Sequence, residues 1–213
     1  MSVNKLIIVG AGGFGREVHQ WLEDWISCND GWLLSGFIDD FKGVHGDKLG
    51  YSPILSTIKD YVPAVNDYLV CAIAKPSDKK KVVTDLLSRG GRFFNLINTR
   101  AIVGRNVVVG QGAVICPFTV LSADLWIGMF ATINSMCTVG HDARVGDFVT
   151  ISGHCDITGG VKLENEVFLG SGATIAPNVS VGLRSVVGTG SVVIRSVAPD
   201  LTVFGVPAKR ISG

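Results

Sequence analysis

Charge is scarce in this 213-residue chain. Asp, Glu, Lys and Arg make up only 17% of it and nearly cancel, leaving a net charge of +1. That balance offers neither a basic surface for nucleic acid nor an acidic tail. Long apolar runs are missing too: no segment reaches the roughly eighteen unbroken apolar residues of a membrane span. The start, MSVNKLIIVGAGG, lacks the basic region and cleavage site of a signal peptide. A soluble, cytoplasmic protein is therefore expected. The cysteines number five, with no CxxC spacing, so neither a disulfide framework nor a zinc site is indicated. The four histidines are scattered, with no HxH or HxxE pattern, and no metal centre is expected.

What the chain has instead is a six-residue beat. Every sixth residue from Val103 to Val193 is aliphatic, sixteen in a row, and the following residue is often glycine (Gly104, Gly110, Gly128, Gly140, Gly146, Gly170, Gly182, Gly188). Four residues after each rung lies a second register of apolar or small residues, from Val107 through Cys137 and Cys155 to Val197. A period of six fits neither an amphipathic helix nor an ordinary hairpin array. It fits a short strand and a tight turn, three of which close one triangular coil of eighteen residues. Sixteen units give five coils and a third, stacked into a prism about 25 Å long. Cys137 and Cys155, eighteen residues apart, should stack as buried thiols.

The first hundred residues follow another grammar. Lys5–Val9 reads as a buried strand, Arg16–Trp25 as a helix, and Leu33–Ile38 and Tyr68–Ala74 as strands. Ser77–Arg89 reads as a second helix and Phe93–Ile97 as a last short strand. This β-α-β-β-α-β-like pattern implies a small Rossmann-like α/β unit with a parallel sheet. Two domains are expected, 1–98 and 99–213.

Gly10-x-Gly12-x-x-Gly15 follows a strand and opens a helix, the context of a phosphate-cradling loop. Asp39 lies about where an acidic residue meets a ribose or base edge. A tight strand–helix turn without a ligand is the plainer alternative. In the prism, His141 stands two places past a rung, at a turn, and Gly159 holds the same phase one coil on. A glycine over a histidine leaves space above the imidazole and an amide nearby, the parts of an acyl-transfer site. Asp142 could orient the ring; a surface histidine at a turn is the alternative. His154 could line the same cleft, His19 belongs to the first helix, and His45 is expected in a solvated loop.

The six-residue beat, Gly140-His141-Asp142, the ending VFGVPAKRI (203–211), the Gly10–Gly15 loop and Phe37-Ile-Asp-Asp40 together resemble the left-handed β-helix sugar acyltransferases. The group most similar is the sialic acid O-acetyltransferases and bacillosamine N-acetyltransferases. The resemblance implies left-handed coils, a homotrimer with active sites between subunits, acetyl-CoA as donor and a nucleotide sugar as acceptor, in polysaccharide biosynthesis. It implies His141 as general base, Asp142 as its acidic neighbour, and Gly159 as the amide holding the thioester carbonyl. Gly170, Ser171, Gly188 and Thr189 would flank the pantetheine arm, and Lys209 would meet the coenzyme's phosphates. Gly10, Gly12, Gly13, Phe14, Asp39, Asp40 and Asn134 would hold the nucleotide sugar. Thr150 replaces a histidine that several relatives carry near the coenzyme. Ala74 and Lys75 stand where the family pattern has Gly-Asn, beside the nucleotide. The expected reaction is N-acetylation of a nucleotide-linked amino sugar. O-acetylation of a sialic-acid-like hydroxyl, a non-enzymatic sugar-nucleotide-binding scaffold, and a nicotinamide dehydrogenase remain as alternatives.

Overall fold

The computed structural model describes residues 3–41, 43, 48 and 50–211. Its contacts divide the chain into one unit of Met1–Ala74 with Asp78–Leu96 and another of Lys75–Ser77 with Ile97–Gly213.

The first unit is built on five parallel strands. In chain order its elements are β1 (Asn4–Val9), α1 (Gly13–Ile26), β2 (Trp32–Ile38), β3 (Ile54–Ser56), β4 (Asp67–Cys71), α2 (Pro76–Ser88) and β5 (Arg92–Phe93). The sheet order is β3-β2-β1-β4-β5, the strand order of a doubly wound sheet. Leu6–Val9, Phe37–Ile38 and Leu69–Cys71 are buried, as continuous apolar runs in a parallel sheet require. Helix α1 buries Val18, His19 and Leu22 on one face. It starts three residues before the expected Arg16, because the loop glycines form its first turn. The strand expected to reach Ala74 ends at Cys71. The run expected as Phe93–Ile97 is two separate two-residue strands, β5 and Leu96–Ile97.

The second unit is a left-handed parallel β-helix. Sixteen two-residue strands, from Ile102–Val103 to Val192–Val193, form three faces. Face 1 starts with Ile102–Val103 and includes Thr138–Val139 and Asp156–Ile157. Face 2 starts with Val108–Val109 and includes Trp126–Ile127 and Arg144–Val145. Face 3 starts with Val114–Ile115 and includes Thr150–Ile151 and Phe168–Leu169. Each strand pairs in parallel with the one eighteen residues on, Thr138 with Asp156 and Val139 with Ile157 for example. Thr202–Gly205 extends face 3, and Ala208–Arg210 turns back antiparallel to it.

The second residue of each strand is the rung. From Ile115 to Val193 all fourteen rungs are at most 2% exposed, each worth about 1.5–3 kcal/mol of apolar burial. Val103 is 44% exposed, since it begins the first coil. Cys137 and Cys155 are buried, and their Sγ atoms donate to the turn carbonyls of Ser152 (3.1 Å) and Gly170 (3.2 Å). The hydrogen bond with Cys155 and burial push the Cys137 thiol up from its ordinary range, so it stays protonated.

Two positions make every corner. The residue after the rung lies tight against the next coil: a Cβ on Gly140 would stand 2.6 Å from the Gly159 nitrogen, and one on Gly128 2.5 Å from the Gly146 carbonyl carbon. Two residues later the backbone turns left-handed. From 106 to 190, every sixth residue has φ between 55° and 71°, and eleven of those fifteen are not glycine. The glycines after the rungs thus serve close stacking, while Asn, Asp, Phe, Met, His, Glu and Arg carry most of the left-handed turns.

Candidate active site

His141 and Asp142 occupy the corner between faces 1 and 2. Val139 points inward, Gly140 packs under the next coil, His141 points out, and Asp142 takes the left-handed position (φ 60°). That turn carries the carboxylate back to the ring: His141 Nδ1 and Asp142 Oδ2 are 2.7 Å apart, with both side chains about two-thirds exposed. The carboxylate accepts from Nδ1–H, which leaves Nε2 able to take a proton.

The other edge of the ring lies on Gly159, one coil on. A Cβ there would stand 2.7 Å from both Cε1 and Nε2. The space expected above the imidazole is therefore filled by the imidazole itself, and only glycine permits it.

The hydrogen-bond pattern of the corners shows which amides can serve a ligand. The amide after the rung joins the ladder, as Gly140 N does with Ile157 O (2.7 Å). The amide at the left-handed position donates to the previous coil, as Gly160 N does to His141 O (2.8 Å). The amide between them has no backbone partner. On the corner between faces 2 and 3 side chains cap it, Asp147 Oδ1 on Met129 N and Asn165 Oδ1 on Asp147 N, both at 2.8 Å. Among the described residues, the Gly159, Ser171 and Thr189 amides have no such cap.

Ser171 and Thr189 lie on a different corner, between faces 3 and 1, with Asn134, Gly170 and Gly188. The Gly170 and Gly188 amides are spent on Val187 O and Val203 O, both at 2.8 Å. Their missing Cβ atoms make room for Thr189 N (2.6 Å) and the Phe204 ring (2.4 Å). The open glycines on this corner are Gly172 and Gly190, at left-handed positions with no side chain close above them. Sequence reasoning missed them; counting three residues past each rung would have found them. Asn134 accepts weakly from Cys116 Sγ (3.5 Å). His154 stands on this same corner, at φ 61°, a different corner from that of His141. Thr150 is fully buried, as are Val114 and Thr132 before it on face 3, so it presents no surface to a coenzyme. Lys209 is exposed on the closing hairpin.

In the first unit the loop glycines divide their work. Gly10 turns at φ 99°, and Gly15 must be glycine because a Cβ would stand 2.0 Å from Gly10 O. Gly12 has nothing within 4 Å of its Cβ position, and Gly13 only the Arg16 guanidinium at 3.9 Å. These two leave the N-terminus of α1 approachable by an anion. Phe14 packs edge-on against Trp21. Asp39 and Asp40 hold the backbone: Asp39 accepts from Ala11 N (2.7 Å) and Phe41 N (2.8 Å), and Asp40 from Ile58 N (2.9 Å). Ala74 and Lys75 are exposed beyond β4. His19 is buried, stacked on Phe37, with Nε2 accepting from Ser52 N (3.1 Å). His45 lies outside the described residues. Among the described residues no group of His, Cys, Asp or Glu could hold a metal ion. Nor is any helix among them long and apolar enough to cross a membrane.

Residues 5–86 match the PglD N-terminal domain family. The chain is 32% identical over 133 residues to the GDP-perosamine N-acetyltransferase of Escherichia coli O157:H7, a match covering 60% of this chain and 58% of that relative's length. WeeI from Acinetobacter baumannii AYE superposes with a TM-score of 0.87 at 29% identity, over 98% of this chain and all of that one. PerB from Caulobacter crescentus, solved with CoA and GDP-perosamine, superposes with a TM-score of 0.86 at 27% identity, over 99% of this chain and 98% of that one. The first unit is thus similar to the PglD N-terminal domain family, and the chain as a whole to the hexapeptide-repeat sugar acyltransferases.

Proposed function

We propose that this protein transfers an acetyl group from acetyl-CoA to the amino group of a nucleotide-linked sugar, with His141 as general base. The observation that carries this reading is the seating of the imidazole, with Nδ1 held by Asp142 at 2.7 Å and the Nε2 edge against Gly159. Relatives named for GDP-perosamine N-acetylation, and one solved with CoA and GDP-perosamine, support it.

The sugar's amine attacks the thioester carbonyl carbon, and a C–N bond forms. Its proton passes to His141 Nε2, and Asp142 steadies the imidazolium. The uncapped Gly159 N–H faces the carbonyl oxygen as negative charge develops there. Collapse breaks the C–S bond, and the imidazolium returns the proton to the coenzyme's sulfur.

Residues 99–213 hold the acetyl donor. The Ser171 and Thr189 amides serve the pantetheine arm, Gly172 and Gly190 leave it room, and Lys209 meets the coenzyme's phosphates. Residues 1–98 hold the sugar nucleotide, with the α1 N-terminus at Gly12 and Gly13 on its phosphates and Asp39 and Asp40 beyond. His141 and Ser171 stand on different corners of one chain, and a homotrimer with sites between subunits brings the two corners together from neighbouring copies. The reaction belongs in the cytoplasm, in the supply of sugars for polysaccharides.

The test is a panel of GDP-, UDP-, dTDP- and CMP-linked amino sugars with acetyl-CoA, following thiol release and product mass. Thiol release with gain of one acetyl group at nitrogen is expected. Acetylation at oxygen, or no thiol release with any acceptor, would overturn the reading.

A further inference from the structure

Face 2 of the β-helix carries a cleft with no place in the function proposed above. Its floor is set by the first residue of each strand. On face 3 those positions are buried at Val114, Thr132 and Thr150, and on face 1 Thr138 donates to Asp156. On face 2 they hold Trp126, Arg144 and Lys162, all exposed, Trp126 at 53%. Strand pairing sets Trp126 beside Arg144 and Arg144 beside Lys162. The three therefore stand in line along the prism, one coil or about 4.8 Å apart. They floor a cleft of about 360 Å³, walled at the corner between faces 2 and 3 by Glu164, Asn165 and Leu183. That volume falls within the range of small-ligand sites, about 300–1,000 Å³.

The charges in the cleft are unspent. Among the described residues the Arg144 guanidinium and the Lys162 ammonium have no hydrogen bond or ion pair, and the Trp126 ring has no aromatic partner. Glu164 is the one carboxylate in the lining, and its Oε2 accepts from Leu183 N (2.7 Å). Asn165 Oδ1 caps Asp147 N, which leaves its Nδ2 able to donate. The cleft thus offers an apolar ring face, two cations and an amide donor, while side chains close the backbone amides of its wall.

This arrangement selects among anionic ligands. A phosphate group asks for donors gathered on one point, and here the cations are spread along a line beside capped amides. An extended peptide brings side chains to one side every 6.6–6.8 Å or about that, out of step with the coils. A pyranose in an extended β-1,4-linked chain advances by close to one coil's rise, about 4.8 Å. Its C–H face packs on an indole, and a carboxylate on the sugar meets a guanidinium or ammonium group.

We propose that face 2 binds a linear acidic glycan running along the prism. One sugar stacks on Trp126, and the carboxylates of the next two meet Arg144 and Lys162, whose long side chains reach either edge of the chain. Asn165 Nδ2 donates to a ring hydroxyl. The proposal stands apart from the acetyl-transfer reading, since it uses none of the same residues.

The experiment is titration of the full-length protein with a β-1,4-linked mannuronate hexamer, followed by calorimetry and tryptophan fluorescence. Cellohexaose serves as the neutral chain of the same linkage and hexaglutamate as an acidic chain with peptide spacing. Trp126 is the only tryptophan among residues 99–213, so a quench that vanishes in Trp126→Phe reports this cleft. The mannuronate hexamer should bind at least about tenfold more tightly than the other two, and less tightly as salt rises. Trp126→Ala, Arg144→Gln and Lys162→Gln, at exposed positions that leave every rung in place, should each weaken it about tenfold. Cellohexaose binding as tightly would overturn the acidic character of the ligand, and hexaglutamate binding as tightly would replace the glycan with an acidic peptide. No binding of the mannuronate hexamer, or binding that survives all three substitutions, would overturn the proposal outright.

Discussion

The imidazole of His141 rests on the α-carbon of Gly159, with Nε2 and Cε1 each 2.7 Å from where a β-carbon would stand. The contact spans one coil of the β-helix and joins the proposed base to the proposed oxyanion donor. It makes Gly159 a positioning residue for His141 as well as an amide donor.

Gly159→Ala should therefore push the ring off its seat while the coil persists, since the corner faces solvent. A displacement of about 1 Å costs on the order of 10²-fold in kcat. Steady-state kinetics beside a thermal melt checks this; a large drop in Tm with normal kcat would assign Gly159 to stability alone.

The loop glycines should separate in the same way. Gly15→Ala sets a Cβ 2.0 Å from Gly10 O and should destabilise the first unit by more than about 1–3 kcal/mol, the usual cost of overpacking. Gly12→Ala meets nothing within 4 Å and should leave Tm nearly unchanged while weakening nucleotide binding. Urea melts and calorimetry on both variants would show it.

Stability of the first unit should fall in mild acid. Burial lowers the pKa of His19 below its ordinary 6.5, against an opposing pull from Glu23. The folded state then resists a proton that the unfolded state accepts. The stabilisation is complete above about pH 6.5 and is lost progressively as pH falls below it. Replacing His19 with Gln should flatten that slope in urea melts taken from pH 7.5 to 5; an unchanged slope would place its origin elsewhere.

Two inactive variants should rescue each other. His141→Ala damages one corner and Ser171→Phe another. If each site draws these residues from different copies, unfolding and refolding the two together should restore about a quarter of the sites by random assembly. Mixed protein as inactive as its parents would place both corners in one subunit's site, or in none.

The coil was legible because each rung is aliphatic and no insertion breaks the phase, so stacking of His141 on Gly159 followed from counting. The left-handed corners were not legible, because Asn106, Phe118, Met136, His154 and Arg184 share no chemistry, only a position. Counting by eighteen also separates the corner of Ser171 and His154 from that of His141, since neither residue lies a multiple of eighteen from it. Thr150 was placed near the coenzyme only through the resemblance; its burial depends on packing the repeat does not encode. The three-residue strand β3 has too few residues for an alternating pattern. Asp39 and Asp40 read as ligand residues, yet both accept hydrogen bonds from backbone amides of neighbouring loops, a role visible only once those loops are placed.

The most direct test of the chemistry is kcat of His141→Ala with acetyl-CoA and the best acceptor from the sugar-nucleotide panel. The ring is exposed and its removal leaves every rung in place, so Tm should hold while kcat falls by about 10²–10⁴-fold. Turnover near that of the unaltered protein would contradict the assignment of His141 as the base.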